Sequence, residues 1–493
     1  MSNTKEIKTL GALKAAGFVS KDIKQEMRDN LITKLRNNEN VFEGIYGYEN
    51  TVIPDLKRAI LSRHNISFLG LRGQAKTRIA RSLIQLLDEY IPIVEGSELN
   101  EDPLNPITTA SKELIKKMGD DTPVSWMHRN ERYSEKLATP DVSVADIVGD
   151  IDPIKAANLK LSFADERVIH FGMIPRSNRC IFVINELPDL QARIQVALFN
   201  ILQEGDFQIR GFKIRLPLDI AFVFTANPED YTNRGSIVTP LKDRIGSQIL
   251  THYPDSREIS KKITLQEAKI TNFQKENIEV PDLIVDLIEQ IAVEARKSEF
   301  VDAKSGVSAR LTIAAYENVV SAAELRMLIN GESYTSVRIT DLVGVIPAIN
   351  GKIELVYEGE AEGVANVAKS LLSNAIRTLF SELFPNPKRL KKPNHPFIYQ
   401  EIIDWFSTNQ SIEFPYDLSS ESYNSLLNKV AGLSSFIDKN ISNKYKQEKK
   451  LLMEFALHGM AEYSLINKMW MNEKMGFGDL MGDLISGLDF ESE

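Results

Sequence analysis

Short apolar runs alternate with helical patterns in the first half of the chain, whereas the second half is mostly helical. Runs of apolar residues predict five strands, at 66–70, 91–95, 180–185, 220–226 and 246–251. Because helical patterns separate these runs, we expect a mostly parallel five-stranded sheet with helices on both faces. Three long helical patterns follow, at 258–277, 281–299 and 308–330. The predicted fold is therefore a three-layer α/β core followed by α-helices.

Changes in these patterns divide the chain of 493 residues into five segments. We predict a helical lead-in, an α/β domain, a helical domain, a linker and a C-terminal helical region, at 1–30, 31–255, 256–384, 385–396 and 397–493. The linker contains four prolines and a basic cluster, a composition that is typical of connecting segments. The chain length agrees with roughly three domains.

Composition and charge narrow the class of protein. Hydrophobic residues make up 43% of the chain and charged residues 26%, and the net charge of −9 argues against a surface that coats nucleic acid. The single cysteine, Cys180, excludes an intrachain disulfide and lies in an apolar run, so we expect a buried thiol in a reducing compartment. No apolar run reaches about 18 residues and no signal-peptide core is present, so we predict a cytoplasmic protein without membrane insertion.

The segment Gly70–Thr77 connects the first predicted strand to an apolar-periodic helix. A strand, a loop that ends in Lys-Thr and a helix form the layout of a P-loop, G-x-x-x-x-G-K-[ST], with Ala75 in place of the last glycine. The helix N-terminus favours a phosphate, Lys76 provides a cation for the outer phosphates, and Thr77 is placed to coordinate Mg²⁺. Ala75 fits this pattern if its φ is negative. The alternative is a strand-turn-helix in which the glycines form a turn and the lysine is a surface charge.

The apolar run that begins at Cys180 predicts a central strand that ends in Asn185 and Glu186. The carboxyl edge of a parallel sheet is where ligands bind in open α/β folds. P-loop ATPases usually have Asp-Glu at this place, where the aspartate organises Mg²⁺ and the glutamate polarises the attacking water. Asn185 can hydrogen-bond a metal-bound water but brings no negative charge, while Glu186 preserves the possibility of hydrolysis. The alternative is a strand that ends in ordinary polar residues.

A further buried strand is predicted at 220–226, and Asn227 follows it directly. An asparagine at this place could contact the γ-phosphate of a nucleotide or orient the water beside Glu186. It could instead cap the strand before Pro228.

With these motifs in order, residues 40–330 resemble an AAA+ ATPase of the group that contains magnesium chelatase subunit I and the MoxR ATPases. The resemblance implies nucleotide-binding residues at Tyr46, Gly47, Gly70, Arg72, Gly73, Gln74, Ala75, Lys76 and Thr77. It implies metal-binding residues at Thr77 and Asn185, the second of which stands at the Walker B aspartate position. It implies catalytic residues at Glu186, Asn227, Arg244 and Arg310.

The resemblance gives the two arginines and Asn227 separate roles. Asn227 matches sensor 1, and Arg244 matches the arginine finger, which in this family acts on the nucleotide of a neighbouring subunit. Arg310 is similar to the sensor 2 arginine of the helical lid, the domain predicted at 256–384. Either arginine could instead be a surface ion-pair partner.

Two more segments resemble elements of the magnesium chelatase and MoxR clades. Residues 205–216 alternate about Arg210-Gly211, as expected for a hairpin before the sensor 1 strand. The alternative for this segment is a plain edge hairpin. Residues 143–153 and 172–179 resemble the helix-2 insertion, which normally faces the central pore or a partner.

The resemblance implies a Mg²⁺-dependent ATPase that binds and hydrolyses ATP in a ring, expected to be a hexamer, and remodels a partner. It also implies a partner with a von Willebrand A-type domain on a separate chain, because the sequence contains no Asp-x-Ser-x-Ser motif of its own.

Three other functions remain open at this point. Ala75 and Asn185 are consistent with a nucleotide-binding scaffold that turns over slowly or not at all. An enhancer-dependent transcription activator is a neighbouring AAA+ class, but the chain lacks its Gly-Ala-Phe-Thr-Gly-Ala loop and shows no basic recognition helix. A magnesium-inserting chelatase subunit would share the same motor.

Overall fold

The computed structural model describes residues 6–480, with gaps at 164, 209–214, 229–236, 390–396, 409–410, 442–444 and 446. The chain divides into two compact units after His252, which we call the α/β unit and the helical unit. No helix in the described part of the chain combines the length and the apolar character that a membrane crossing requires.

Five parallel strands form the central sheet of the α/β unit. They are β1 (Ile66–Leu69), β2 (Tyr133–Leu137), β3 (Cys180–Asn185), β4 (Ile220–Ala226) and β5 (Ser247–Leu250). Their order across the sheet is β5-β1-β4-β3-β2, and all neighbours pair in parallel. Every residue of β3 and β4 is buried, as expected for central strands with helices on both faces. The predicted α/β fold with a parallel five-stranded sheet is therefore confirmed.

One of the predicted strands does not belong to this sheet. Tyr90–Val94 pairs antiparallel with Val124–His128 in a separate two-stranded sheet, so the assignment of 91–95 to the central sheet is wrong. The fifth strand is instead β2, which lies at the sheet edge beside β3 and is only partly buried. An edge strand needs no continuous apolar run, and its sequence Tyr-Ser-Glu-Lys-Leu therefore has no apolar pattern that would predict it.

Helices cover the sheet and its connections. They are Leu10–Ala15, Ile23–Arg36, Val52–Leu61, Lys76–Ser82, Thr109–Met118, Val144–Ile147, Pro153–Leu159, Met173–Arg176, Ala192–Glu204 and Thr239–Asp243. Short 3₁₀ helices are Leu83–Leu86, Gly119–Asp121, Arg129–Glu131, Glu166–Val168 and Leu187–Asp189. Alternate residues of β3 enter opposite cores: Val183 packs in the core of helices Ile23–Arg36 and Val52–Leu61, and Phe182 packs with helix Ala192–Glu204. The α/β unit therefore has three layers.

Two small antiparallel pairs lie between the main strands. Asp206–Gln208 pairs with Arg215–Pro217, in agreement with the predicted hairpin, whose tip at Arg210-Gly211 lies outside the described residues. Gly149–Ile151, in the first of the two segments that resemble the helix-2 insertion, pairs with Ile169–Phe171, which directly precedes the second.

The helical unit contains one apolar core that runs from Ile278 to Phe477. Its helices are Arg257–Glu267, Asn272–Asn277, Asp282–Lys297, Arg310–Ile329, Ile346–Asn350, Tyr357–Glu362, Val364–Leu383, Gln400–Ser407, Ser420–Lys429, Leu433–Asn440 and Lys449–Glu462. Short 3₁₀ helices are Thr340–Val345 and Pro387–Arg389. This core includes side chains from both sides of the predicted linker. The domain boundaries given above stay a prediction.

Two details of the helical unit differ from the sequence-based expectations. The helix predicted at 258–277 is interrupted, because Thr271 begins a new helix with Gln274 as its capping-box partner. The C-terminal region is not purely helical. It contains an antiparallel sheet in which Lys474–Gly478 lies between Ile412–Pro415 and Asn467–Trp470.

Cys180, at the start of β3, is a buried free thiol, as expected. Burial raises its pKa to about 12, so the thiol stays protonated and has little nucleophilic character at neutral pH.

A buried ion pair joins the helix Ile23–Arg36 to the residue that precedes β2, and it generates a stability prediction. The two terminal guanidinium nitrogens of Arg132 donate to the carboxylate of Glu26, at 2.6 and 2.7 Å, and both side chains are almost fully buried. We expect Glu26→Ala to lower the free energy of unfolding by about 3–5 kcal/mol, because it leaves the charge of Arg132 buried without its partner. Chemical denaturation of the full chain measures the loss.

The matched control is Asp120→Ala, since Asp120 pairs with Lys14 where both side chains are exposed. Exposed pairs contribute about 0–1 kcal/mol. A loss for Glu26→Ala that does not exceed the loss for Asp120→Ala would contradict the assigned role of the buried pair.

Candidate active site

The carboxyl ends of β1, β3 and β4 bring together residues that are far apart in sequence. Leu69 pairs with Ala226, so the loop that begins at Gly70 emerges beside Asn227. On the other side of β4, Ile184 pairs with Phe224, so Asn185 and Glu186 emerge at the same edge. The sheet therefore places all three polar motifs of the sequence at one edge, as expected for a ligand site of an α/β fold.

The loop after β1 needs its two glycines for different reasons. A Cβ at Gly70 would collide with the side chains of Thr251 and Gln74. Gly73 has a φ of 71°, which a residue with a Cβ adopts only with strain. The buried Gln74 side chain closes the loop against the sheet, with its Oε1 accepting a hydrogen bond of 2.7 Å from Thr251 Oγ1.

Ala75 also has a left-handed conformation, with φ 56° and ψ 16°. The condition given above for Ala75, a negative φ, is therefore not met. An L-residue with a Cβ costs roughly 1–2 kcal/mol in this region, whereas glycine adopts it freely. The loop has the conformation that the usual P-loop glycine would allow, and Ala75 adopts it under strain.

Lys76 begins the helix Lys76–Ser82 and is buried. Its Nζ donates to the carbonyl oxygen of Gly70 and, at 3.0 Å, to that of Leu71. The ammonium group therefore lies over the backbone of the loop, within reach of any anion that the loop encloses.

Asn185 joins the loop to the sheet through its side-chain amide. Its Oδ1 lies 3.4 Å from Thr77 Oγ1 and 3.0 Å from Thr225 Oγ1, and both hydroxyls donate to it. Its Nδ2 donates to Glu135 Oε1 at 2.6 Å. The Thr77 hydroxyl and the Asn185 amide are thus in direct contact at the end of the loop.

Glu135 is an acidic residue of this site that the sequence analysis missed. It lies on β2, and its Oε2 accepts hydrogen bonds from Arg81 Nη2 at 2.9 Å and from Tyr133 OH at 3.1 Å. Burial, with the charge of Glu135, raises the pKa of Tyr133 far above its usual value, so the phenol stays a neutral donor. The missing strand prediction concealed Glu135, since the residue has no motif of its own.

Glu186 and Asn227 complete the polar edge. Glu186 has φ 54° and ψ 51°, and its backbone N–H donates to Thr225 Oγ1 at 3.2 Å. Asn227 is almost fully buried, and its Oδ1 receives no hydrogen bond from any residue in the described ranges. Left-handed backbone at Ala75 and Glu186 is the kind of local strain that gathers at functional sites.

The segment that contains Tyr46 and Gly47 is held against the loop by Tyr48. The buried Tyr48 hydroxyl lies 2.9 Å from the carbonyl oxygen of Gln74 and 2.7 Å from that of His252. Gly47 has a φ of 80°, and Tyr46 beside it is exposed. This segment therefore packs directly against the loop, although none of its described contacts shows a preference for a base.

The two predicted arginines are placed differently. Arg244 follows the helix Thr239–Asp243, donates to Gln203 Oε1 at 2.9 Å and to the Pro240 carbonyl at 2.7 Å, and lies over the ring of Phe199. These hydrogen bonds join Arg244 to other residues of the α/β unit and not to the loop. Arg310 begins a helix of the helical unit, and its side chain is exposed. The catalytic roles of both stay predictions.

Comparisons with known proteins give low-identity structural matches. No protein-family model matches the chain, and no curated protein matches its sequence. A complex of magnesium chelatase subunits BchI and BchD matches with 22% identity and a TM-score of 0.33, over 65% of this chain and 98% of that one. NtrX from Brucella abortus in complex with ATP matches with 12% identity and a TM-score of 0.34, over 59% of this chain and 52% of that one. A RuvB mutant from Thermotoga maritima matches with 11% identity and a TM-score of 0.34, over 78% of this chain and 97% of that one. At these values the functional argument rests on the geometry of the site.

The strain at Ala75 can be measured. We expect Ala75→Gly to raise the free energy of unfolding by about 0.5–1 kcal/mol, because relief of the left-handed conformation exceeds the added backbone entropy of the unfolded chain. The control is Ala80→Gly in the following helix, which should lower the free energy of unfolding by about 1 kcal/mol. Denaturant titration of the two variants and the wild type measures these free energies of unfolding. An equal decrease in both variants would contradict the strained conformation of Ala75.

Proposed function

We propose that this protein is a Mg²⁺-dependent ATPase of the AAA+ class, of the magnesium chelatase subunit I and MoxR group. The observation that carries the proposal is the contact between Thr77 Oγ1 and Asn185 Oδ1 at the end of a loop with P-loop sequence. A hydroxyl and a Walker B side chain that meet beside a buried lysine form the side of a P-loop that takes magnesium and phosphate. A plain strand-turn-helix would not require this convergence.

The loop residues would bind the nucleotide. Gly70 and Gly73 would give the loop the shape that encloses the phosphates, and Lys76 would exchange its two carbonyl acceptors for phosphate oxygens. Arg72, which is exposed on the loop, is an additional cation for the same ligand. Tyr46 and Gly47 would lie beside the base. Bound Mg²⁺ would neutralise phosphate charge, with Thr77 and Asn185 on the protein side.

Hydrolysis would depend on Glu186 and Asn227. Glu186 is fixed in its position by its backbone hydrogen bond to Thr225, and its carboxylate is the candidate general base for a water that attacks the γ-phosphate. Asn227 Oδ1, which accepts no hydrogen bond from the residues that the structure describes, would hold that water, or the Nδ2 of the same amide would donate to the phosphate.

The resemblance to the family supports assembly into a ring, as a hexamer, in which Arg244 acts on the nucleotide of the adjacent subunit. An arginine in this role stabilises the charge that develops on the transferred phosphoryl group and contributes up to roughly 10³–10⁵-fold in rate. By the same resemblance, Arg310 would be the sensor 2 arginine. The ring would remodel a partner protein, and a chain with a von Willebrand A-type domain is the expected partner.

A nucleotide-binding scaffold with slow turnover is the second candidate. The strained conformation of Ala75 favours it, because a loop that stores strain binds and releases phosphates differently from one with glycine. Asn185 favours it as well, because the Walker B position has no charge of its own.

The hydrolytic role of Glu186 is tested in a steady-state ATPase assay. We expect Glu186→Gln to lower kcat by about 10²–10⁴-fold and to leave nucleotide affinity nearly unchanged, because the amide cannot accept the proton of the water. We expect Lys76→Ala to abolish nucleotide binding. The control is Glu131→Gln, an exposed carboxylate that precedes β2 and so lies at the opposite edge of the sheet. Wild-type protein that binds ATP without turnover would instead support the scaffold.

The shared site is tested by mixing two inactive variants. Arg244→Ala retains Glu186 and lacks the finger, whereas Glu186→Gln retains the finger and lacks the base. In a ring that assembles at random from equal amounts of the two variants, roughly a quarter of the interfaces combine an intact Glu186 with an intact Arg244. The mixture should therefore recover ATPase activity.

Gln203→Ala is the control for a purely local role of Arg244, since it removes the hydrogen bond from Arg244 to Gln203 and leaves the guanidinium group and its bond to the Pro240 carbonyl in place. Mixed rings of confirmed composition that show no recovery would rule out action on the neighbouring subunit.

A further inference from the structure

Asn185 and Glu135 form a hydrogen-bonded pair, in which the amide donates and the carboxylate accepts. Glu135 lies on the edge strand β2 and Asn185 at the end of β3, on the face of the sheet that also packs against the helix after the loop. Asn185 Nδ2 donates to Glu135 Oε1 at 2.6 Å, and this is one of the shortest contacts of the site. Glu135 is mostly buried, with 23% of its side chain exposed.

The contacts of Asn185 explain why this position has an amide. Its oxygen accepts hydrogen bonds from Thr77 and Thr225, and its nitrogen donates to Glu135. An aspartate would accept from the two hydroxyls equally well, but its second oxygen would face the carboxylate of Glu135 at hydrogen-bond distance. Two carboxylates at this separation do not both ionise without a large cost. Glu135 therefore favours an amide at position 185.

We propose that Glu135 supplies the negative charge of the Mg²⁺ site, and that Asn185 connects this charge to Thr77. The inference rests on the proposed function. Mg²⁺ in nucleotide sites needs only one or two protein carboxylates beside the phosphate oxygens, so one carboxylate on the neighbouring strand is sufficient. The two functions of the usual aspartate are thus divided between two side chains. Glu135 holds the charge, and the amide of Asn185 connects it to Thr77 through hydrogen bonds.

A structural role for Glu135 must be separated from this one, because Glu135 also pairs with Arg81. Arg81 donates to Glu135 Oε2 through Nε at 3.0 Å and Nη2 at 2.9 Å, and 63% of its side chain is exposed. An exposed arginine gains little from the pair and can swing into solvent. The second oxygen, Oε1, faces Asn185. The two roles therefore involve different oxygens and different partners.

The experiment exchanges the two side chains. The dissociation constant of ADP is measured in EDTA and in Mg²⁺, for the wild type, Glu135→Gln, Asn185→Asp and the double variant, together with Mn²⁺ binding in the presence of ADP. We expect Glu135→Gln to weaken metal binding about 10–100-fold and to leave the affinity in EDTA unchanged. The double variant should recover most of this loss, because the new aspartate on β3 then holds the charge and the new glutamine on β2 donates the hydrogen bond.

Arg81→Gln is the control. It should leave metal binding unchanged or strengthen it, because it removes a cation that competes for Glu135. Two results would overturn this inference but not the proposed function. One is a loss of metal binding in Arg81→Gln that equals the loss in Glu135→Gln. The other is a double variant that has wild-type thermal stability but does not recover metal binding. Wild-type protein that binds no nucleotide in either buffer would overturn the proposed function and this inference with it.

Discussion

Parallel pairing of β1, β4 and β3 is the constraint on which the candidate site depends. The register places Leu69 opposite Ala226 and Ile184 opposite Phe224, so the residues that follow these strands emerge at one edge. Both faces of β3 and β4 are buried in separate apolar cores. A slip of one residue would turn every side chain of a strand to the opposite core. The two cores therefore hold the polar edge in register, although the polar residues themselves contribute little to the packing.

Asn185 is the point at which that edge becomes a connected site. An amide has both a donor and an acceptor, so it can join two hydroxyls on one side to a carboxylate on the other. Thr77 comes from the helix after the loop, Thr225 from β4 and Glu135 from β2, and all three contact Asn185. A carboxylate at this position could accept hydrogen bonds from the two hydroxyls, but it has no donor for the ionised carboxylate of Glu135. The departure from the usual Asp-Glu motif and the polar edge strand are thus two parts of one arrangement.

Backbone strain is the second physical feature of the site. Ala75 and Glu186 both have left-handed conformations, directly before Lys76 and directly after Asn185. The surrounding contacts hold them there: Tyr48 and Thr251 fix Gln74, and Thr225 fixes the N–H of Glu186. Such strain persists only where neighbouring structure determines it fully. Its presence directly before Lys76 and directly after Asn185 favours a site that is preformed before any ligand binds.

Local sequence was sufficient to predict the strands β1, β3, β4 and β5, the loop between Gly70 and Thr77, and the polar residues after the strands, because buried strands have apolar runs and loops have characteristic residues. It was not sufficient for β2, since an edge strand with exposed positions has no apolar run. It also could not give the φ of Ala75, which depends on how the loop closes between strand and helix. The contact between Glu135 and Asn185 joins residues 50 positions apart. Only the tertiary structure decided that contact, because strand order, and not sequence distance, determines which side chains meet at the edge of a parallel sheet.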